Sequence, residues 1–344
     1  MENEILNKEI LLDNSGHIVH EGWARQPYWE YDRKAIKANK LRIKEWDYYA
    51  ITNFEEGYNI CITFSDLGYA GLFSITYLDY KLGRYTTVSS TKPLTLHRTG
   101  LGPNSRKDYG VTFADKNMTI AFVTKDDRRN ILATAPNMVL PDGRTGLKID
   151  ITIKDNKESL NIATSWKEDR KCFYYNTKAI GMEVEGDIKI GFDRFPIEKN
   201  TTLGLLDWGR GRWYRTSTWK WSTIMGITED GHRYGINTGY GFTDRTPASE
   251  NSIIYDGIVH KLHSVTFTYP DDYTSDKWII KDDEGRLYLE MDPIVNRSDH
   301  IDFKLIVSLQ DQVFGRIKGY FILDDGKRIE VNTLGFAEHV HNKW

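Results

Sequence analysis

A short segment of the sequence concentrates the side chains that could do chemistry: residues 203–221 contain four tryptophans, three arginines and one aspartate. The aspartate, Asp207, follows a run of leucines and precedes Trp208, so we expect its carboxyl group to be buried. A buried carboxylate needs a cationic partner or takes up a proton. Two interpretations are therefore open: an ion pair with Arg210 and Arg212 that fixes the strand junction, or an acid of raised pKa that can protonate an alkene or a carbonyl group.

Indole rings follow this aspartate at alternate positions. If residues 217–225 form a strand, Trp219 and Trp221 lie on one face and Lys220 lies on the other. Together with Trp208, these indoles could line a ligand cavity or fill the core of a barrel. Both uses are open, and the charged neighbours favour the cavity.

The next strand-like segment has one face made of very small side chains. Gly235, Gly239 and Gly241 share that face with Asn237, while bulky residues occupy the other. Such a face either lets another element pack against the backbone or opens a ligand cavity with the Asn237 amide as its polar handle. We place the neighbouring Tyr240 in the lining of the same site.

A polar stretch with one proline, residues 243–251, follows this strand and predicts a loop at the end of a barrel. Asp244, Arg245, Glu250 and Asn251 could converge there on the mouth of the barrel, with Glu250 as a second candidate acid. The alternative is a salt-bridged rim that only orders the loop.

The elements that must position these residues are strands. Apolar and polar residues alternate with a period of two, as in residues 149–153 and 160–163. Turns rich in Asp, Asn and Gly interrupt the alternation and predict hairpins across residues 113–123, 149–163, 279–289 and 321–331. Helical periodicity is weak, and its best candidate is the short basic segment 33–44.

Many short strands separated by frequent turns are typical of an all-β protein with antiparallel barrels or sandwiches. Roughly nine strand-like segments precede Trp166, and a similar number follow Cys172. The polar stretch 167–171 is the predicted seam. We therefore predict two tandem barrels, with domains at residues 1–170 and 171–344.

Composition excludes several function classes. In 344 residues, 46 basic side chains face 49 acidic ones, so no excess positive charge is present to bind nucleic acid. No run approaches the roughly 18 apolar residues of a membrane span. Two cysteines, Cys61 and Cys172, make no disulfide framework and suggest a cytoplasmic protein. Neither a metal-binding spacing nor a glycine-rich phosphate loop is present, so we expect no metal and no cofactor.

Several motifs together resemble a known family, the domain-of-unknown-function family 2804, over nearly the whole chain. They are the segments 45–49, 204–213, 237–242, 248–251 and 342–344. This family is similar to the lipocalin-like calycins, which include carotenoid 1,2-hydratases, tocopherol cyclase and some fungal cyclases. The resemblance implies two lipocalin-like antiparallel β-barrels in tandem, but it implies no particular reaction.

The sequence thus predicts a protein that binds a hydrophobic small molecule in an aromatic-lined cavity of the C-terminal barrel. Such a cavity supports cofactor-free protonation, hydration or cyclisation, because π faces stabilise a developing carbocation and one acid of raised pKa supplies the proton. The alternatives are a non-catalytic carrier and a structural protein whose barrels are filled by their own rings. The expected site residues are the catalytic acids Asp207 and Glu250 and the ligand contacts Trp208, Arg210, Arg212, Trp219, Trp221, Asn237, Tyr240, Asp244, Arg245 and Asn251.

Overall fold

The computed structural model describes residues 2–302 and 307–343, and nearly all of their regular structure is β-strand. Trp344, which belongs to the last segment of the family resemblance, lies outside the described residues. The predicted helical segment 33–44 forms only two single 3-10 turns, Arg33–Ala35 and Lys40–Arg42, before a strand begins at Ile43. Within the described ranges, no helix has the length and apolar character needed to cross a membrane.

The first half of the chain contributes short strands at its start and longer ones afterwards. In chain order they are β1 (Glu9–Ile10), β2 (Gly22–Ala24), β3 (Trp29–Glu30), β4 (Ile43–Asn53), β5 (Tyr58–Asp66), β6 (Ala70–Asp79), β7 (Arg84–Pro93), β8 (Tyr109–Ala114), β9 (Thr119–Lys125), β10 (Arg128–Val139), β11 (Thr145–Lys154) and β12 (Leu160–Ser165).

The second half continues with strands of up to 18 residues. They are β13 (Phe173–Ile190), β14 (Asp193–Pro196), β15 (Thr202–Arg212), β16 (Thr216–Ile227), β17 (Arg233–Tyr240), β18 (Ser252–Tyr255), β19 (Ile258–Lys261), β20 (Val265–Thr268), β21 (Trp278–Asp282), β22 (Leu287–Asp302), β23 (Val307–Ile322) and β24 (Arg328–Lys343).

Two large antiparallel sheets contain nearly all of these strands. The first has 13 strands, with the order β7-β6-β5-β4-β15-β13-β11-β10-β9-β8; β12 and β14 also pair with β13, and β2 pairs with β12. The second has nine strands, with the order β19-β18-β17-β16-β24-β23-β22-β21-β20. Strands β1 and β3 form a separate parallel pair.

Both sheets curl so that strands far apart in the sheet order face each other. In the first sheet, the ring centroids of Tyr49 on β4 and Phe122 on β9 lie 4.7 Å apart. In the second sheet, Tyr240 on β17 and Phe267 on β20 lie 5.5 Å apart. Each sheet thereby encloses a core of its own side chains. The predicted fold class, an all-β chain with two tandem lipocalin-like antiparallel barrels, is confirmed.

Three of the four predicted hairpins are confirmed, namely those formed by β8 with β9, β21 with β22, and β23 with β24. The hairpin predicted across residues 149–163 is wrong. Strands β11 and β12 pair with two different parts of β13 instead of with each other. Because β13 is 18 residues long, it can bond β12 along its beginning and β11 along its end.

The change from the first sheet to the second lies between Arg212 and Thr216, later than the predicted seam near residue 170. The physical reason is that β13 and β15 hydrogen-bond to β11 and β4, so they complete the first sheet. The division of the chain into two domains at residues 1–170 and 171–344 stays a prediction.

A third apolar cluster lies between the two sheets, on the outer face of each. It joins Tyr48 and Leu205 of the first sheet to Trp221 and Phe336 of the second. The backbones approach closely here: a Cβ atom added to Gly235 on β17 would lie 2.5 Å from a methyl carbon of Ile180 on β13. The candidate site is embedded in this inter-sheet layer.

Candidate functional site

A buried lysine stands at the centre of the inter-sheet layer. Lys178 on β13 is the direct register partner of Asp207 on β15, so both side chains emerge from the same face of the first sheet. The Lys178 Nζ atom lies 3.0 Å from Asp207 Oδ2 and 3.6 Å from Glu250 Oε2. It also lies 4.1 Å from the ring centroid of Trp221. One ammonium group therefore brings together the two carboxyl groups that the sequence singled out.

Neutral donors complete the surroundings of these two carboxyl groups. The Asn176 amide donates to Asp207 Oδ1 at 2.6 Å, and the Tyr174 hydroxyl donates to Glu250 Oε2 at 3.5 Å. Burial raises the pKa of Glu250, and the nearby charge of Asp207 raises it further, whereas the Lys178 ammonium lowers it. Glu250 is thus an acid that holds its proton more strongly than a solvated glutamate.

A third acid from the second sheet faces the same layer. Glu338 on β24 accepts hydrogen bonds from the Trp219 indole at 2.9 Å and from the Gln312 amide at 3.1 Å. Burial raises the pKa of Glu338 to about 7, with Asp207 adding to the rise and Trp219 and Lys178 opposing it. Near neutral pH, Glu338 can therefore both give and accept a proton.

This arrangement has the components of general acid–base chemistry. Acids of raised pKa donate protons efficiently near neutral pH, and a neighbouring ammonium stabilises the carboxylate that each donation leaves. The Trp219 indole N–H and the face of the Trp221 ring border the same groups. The geometry suits proton transfer to an apolar molecule.

The predicted pairing of Asp207 with Arg210 and Arg212 is wrong. Side chains alternate along β15, so the odd-numbered Asp207 and the even-numbered arginines leave the strand on opposite faces. Arg210 instead pairs with Asp47 at 3.0 Å, with neither side chain exposed to solvent. Arg212 pairs with Asp169 at 3.0 Å.

Trp208 and Arg210 consequently belong to the interior of the first sheet. The Trp208 ring lies 5.1 Å from the ring of Tyr175, and the Arg210 guanidinium stacks 4.1 Å above Trp208. We call Lys178, Asp207 and Glu250 the Lys178 cluster. The structure does not bring Trp208, Arg210 or Arg212 to it. The alternation of side chains along β15 is the feature of the sequence that predicts this separation from Asp207.

Trp221 and Asn237 do reach the cluster. The Trp221 indole donates to the Asn237 side-chain oxygen at 2.8 Å, and the Asn237 amide donates to the Glu250 carbonyl oxygen at 2.6 Å. Tyr240 instead points from the other face of β17 toward Phe267 in the second sheet. Asn237 therefore positions Glu250 through its backbone.

The polar loop after β17 is held by its own side chains. Asp244 accepts a hydrogen bond from Arg170 at 2.8 Å, and hydrogen bonds from Thr246 and Arg170 overcome the effect of burial and lower its pKa to about 2. Asn251 accepts a hydrogen bond from the Gly239 backbone at 2.8 Å. The Arg245 guanidinium stacks 5.3 Å from the Tyr240 ring. Of the loop residues predicted for the site, only Glu250 contacts Lys178.

The small-residue face of β17 accommodates close packing. A Cβ atom at Gly239 would lie 2.2 Å from Glu250 Oε1, so only glycine leaves space for that carboxyl group. A void of about 10 Å³ remains beside it, enough for about one water molecule. Its lining residues are Ile162, Tyr174, Gly239, Tyr240, Phe242, Thr243, Arg245 and Glu250.

A larger cavity, of about 430 Å³, lies away from these acids beside the β1–β3 pair. It is lined by Ile10, Leu12, Glu30, Tyr31, Asp32, Ala35, Pro103, Asn104 and Lys107. None of its lining residues contacts Lys178, Asp207 or Glu250 in the described ranges. We place the candidate site at the inter-sheet layer because the buried acids lie there.

Sequence reasoning missed Lys178, Glu338 and Tyr174. Lys178 is a lone charged residue within a stretch of neutral ones on β13, and Glu338 follows Phe336 and Ala337 on β24. A single charge in an otherwise buried strand signals a specific partner. The identity of that partner depends on strand pairing, which the local sequence does not contain.

The chain matches, over residues 2–344, the family described as "Domain of unknown function (DUF2804)". The chain belongs to the DUF2804 family. The predicted family resemblance is therefore confirmed. No curated protein matches this DUF2804 sequence.

Solved structures similar to this DUF2804 protein come from proteins of distant sequence. A structure described as AttH (NE1406) from Nitrosomonas europaea has 13% identity and a TM-score of 0.52, and the match covers 90% of this chain and 96% of the Nitrosomonas chain. CghA, determined with Sch210972, has 9% identity and a TM-score of 0.55, with coverages of 98% and 94%. Kievitone hydratase from Nectria haematococca has 13% identity and a TM-score of 0.49, with coverages of 97% and 96%. The likenesses to the Nitrosomonas europaea protein and to CghA, with TM-scores above 0.5, show a shared fold.

Proposed function

We propose that this protein is a cofactor-free acid–base catalyst that protonates, hydrates or cyclises a hydrophobic small molecule between its two sheets. One observation carries the proposal: the buried Lys178 ammonium lies within 3.6 Å of both Asp207 and Glu250. Burial of a cation with two acids costs free energy that packing alone does not require. A role in proton transfer explains why the fold keeps these buried charges.

Glu250 is the proposed proton donor. It transfers its proton to an alkene carbon or a carbonyl oxygen of the substrate, and the resulting carboxylate is stabilised by Lys178. The substrate is left with a positive charge, which the aromatic rings of the inter-sheet layer stabilise. In hydration, water adds to the cation and loses a proton to Asp207. In cyclisation, a second double bond of the substrate attacks the cation, and Asp207 removes the final proton. In both reactions the proton then returns from Asp207 to Glu250 before the next turnover.

The environment of the cluster supports an apolar substrate. The inter-sheet layer is built mainly from aromatic and aliphatic side chains, so water is largely excluded around the acids. The fold shared with CghA, whose structure was determined with Sch210972, also supports a ligand-binding role.

A carrier of a hydrophobic metabolite is the second candidate. One observation favours it: Lys178, Asn176 and Tyr174 of the protein itself bind the two carboxyl groups. A carrier binds such a molecule and releases it unchanged. A measurement of turnover distinguishes the two functions, because only an enzyme converts the bound molecule.

The test starts from the protein's own ligand. Native mass spectrometry with organic extraction identifies a copurifying apolar compound, which is then incubated with the protein in D₂O. A proton-transfer enzyme incorporates deuterium at a carbon atom of the compound. Glu250→Gln should slow this incorporation by about 10²–10⁴-fold, whereas the exposed Glu168→Gln should not. A compound that binds without exchange supports the carrier, and equal exchange in both variants contradicts the role of Glu250.

A further inference from the structure

Four rings surround the side chain of Phe242, one on β13, one on β16 and two directly after the ends of β12 and β15. Its ring is stacked on Trp213 with centroids 5.5 Å apart and meets Tyr174 edge-on at 4.9 Å. Trp219 and Trp166 lie 6.1 Å and 6.2 Å away. We call Trp166, Tyr174, Trp213 and Trp219 the aromatic box. Rings at these separations and angles form a favourable receptor for another ring.

Two walls of the aromatic box are hydrogen-bonded to the candidate acids. Tyr174 donates to Glu250, and Trp219 donates to Glu338. The small void beside Glu250 is also lined by Tyr174 and Phe242. Any ring that replaced Phe242 would therefore lie one side chain away from both acids.

Phe242 belongs to a loop and not to a strand of the core. It lies between Gly241, with φ of 112°, and Thr243, with φ of 53°. The value at Thr243 is a left-handed conformation that costs a non-glycine residue free energy and often marks functional segments. Gly241 and Arg245 are exposed, and Phe242 itself is only half-buried.

A few polar contacts hold this loop against the first sheet. Arg170 donates to Asp244 at 2.8 Å, and the Asp244 backbone donates to the Ser165 carbonyl oxygen at 2.7 Å. Thr164 donates to the Thr243 hydroxyl at 3.0 Å. The Arg170 side chain is 45% exposed, whereas the Asp244 side chain is 7% exposed and also lies 3.6 Å from Lys167 Nζ, so water reaches this carboxylate fully only when the loop moves outward. We call the Arg170–Asp244 pair the latch.

We propose that Phe242 is an internal plug that occupies the substrate's ring site, and that residues 241–247 swing out when an apolar molecule carrying an aromatic or unsaturated six-membered ring enters the aromatic box. The proposal rests on the proposed function for the role of the acids, but ring binding does not depend on proton transfer. It accounts for the small size of the void, because the space next to Glu250 is filled by a side chain that can leave.

The neutral fluorescent probe N-phenyl-1-naphthylamine tests the plug. Removing Phe242 frees the aromatic box, so Phe242→Ala should bind the probe about ten-fold or more tightly than the unchanged protein, with saturable energy transfer from tryptophan. The control is Phe192→Ala, which removes a fully exposed ring elsewhere. Asp244→Asn, which weakens the latch but keeps Phe242, should give a smaller gain in the same direction. Equal affinity in folded Phe242→Ala and in the unchanged protein overturns the proposal.

A second measurement uses the unchanged protein and does not depend on the folding of any variant. Saturating probe should speed amide hydrogen exchange in residues 241–247 and leave exchange in β13 unchanged. Unchanged or slower loop exchange in the presence of bound probe overturns the plug, as does the absence of any binding. If probe binding follows these expectations while deuterium incorporation does not depend on Glu250, the plug stands and the catalytic proposal fails.

Discussion

Lys178 is the residue on which the inter-sheet cluster depends. Its ammonium is the charged partner of Asp207 and Glu250, and its side chain is only 3% exposed. Lys178→Met removes that charge and leaves two acids buried together. We expect a loss of unfolding free energy of about 3–5 kcal/mol, measured by urea denaturation near neutral pH. Lys189→Met, an exposed lysine on the same strand, is the matched control and should change stability little. Equal stability of both variants would show that the cluster does not need its cation.

Glu338 makes stability depend on pH in a defined direction. Its pKa is raised from 4.5 to about 7, mainly by burial, so the folded protein holds this proton more strongly than the unfolded chain does. Stability therefore falls as pH rises from about 5 to about 8, by up to about 3 kcal/mol from this group. Glu338→Gln should flatten that fall in urea denaturation curves recorded across the same range. Glu250, whose pKa is also raised by burial, acts on stability in the same direction as Glu338. A slope unchanged by Glu338→Gln would contradict the buried acid.

At the scale of elements, the contact between β13 and β17 fixes how the two sheets approach each other. A Cβ atom at Gly235 would meet Ile180 at 2.5 Å for a side-chain carbon and at 2.9 Å for the backbone carbonyl carbon. Gly235→Ala should therefore lower the unfolding free energy by about 1–3 kcal/mol through overpacking, seen as a lower thermal midpoint. Gly110→Ala, where the nearest atoms lie at 3.6 Å, should be tolerated. A stable Gly235→Ala protein would mean that the sheets can separate without cost.

The elements also show what the sequence can predict and where prediction stops. Local patterns were sufficient for strand alternation and for three hairpins, because adjacent strands with a short turn pair with each other. They were insufficient for β11 and β12, whose shared partner β13 follows later in the chain. The same limit applies to the site: burial of Asp207 followed from its neighbours, but its pairing with Lys178 required the register of β13 against β15.

At the scale of the molecule, the strand order predicts which divisions of the chain can fold. β13 and β15 lie at the centre of the first sheet, between β11 and β4. A chain divided between residues 170 and 171 places these strands on a separate piece, so each piece exposes unpaired strand edges and should aggregate alone. A division between residues 213 and 214 keeps every strand with its sheet and should give a higher yield of refolded complex by size-exclusion chromatography. Equal yields from the two divisions would contradict this dependence on sheet order.

β15 reaches its place between β4 and β13 only late in synthesis. At roughly 5–20 residues per second, on the order of ten seconds separate the appearance of β4 (Ile43–Asn53) from that of β15 (Thr202–Arg212). During that interval the N–H and C=O groups along one edge of β4 lack their β15 partner and can pair with another polypeptide chain. We therefore expect nascent chains to need a holdase chaperone during this interval, and refolding yields to fall as protein concentration rises.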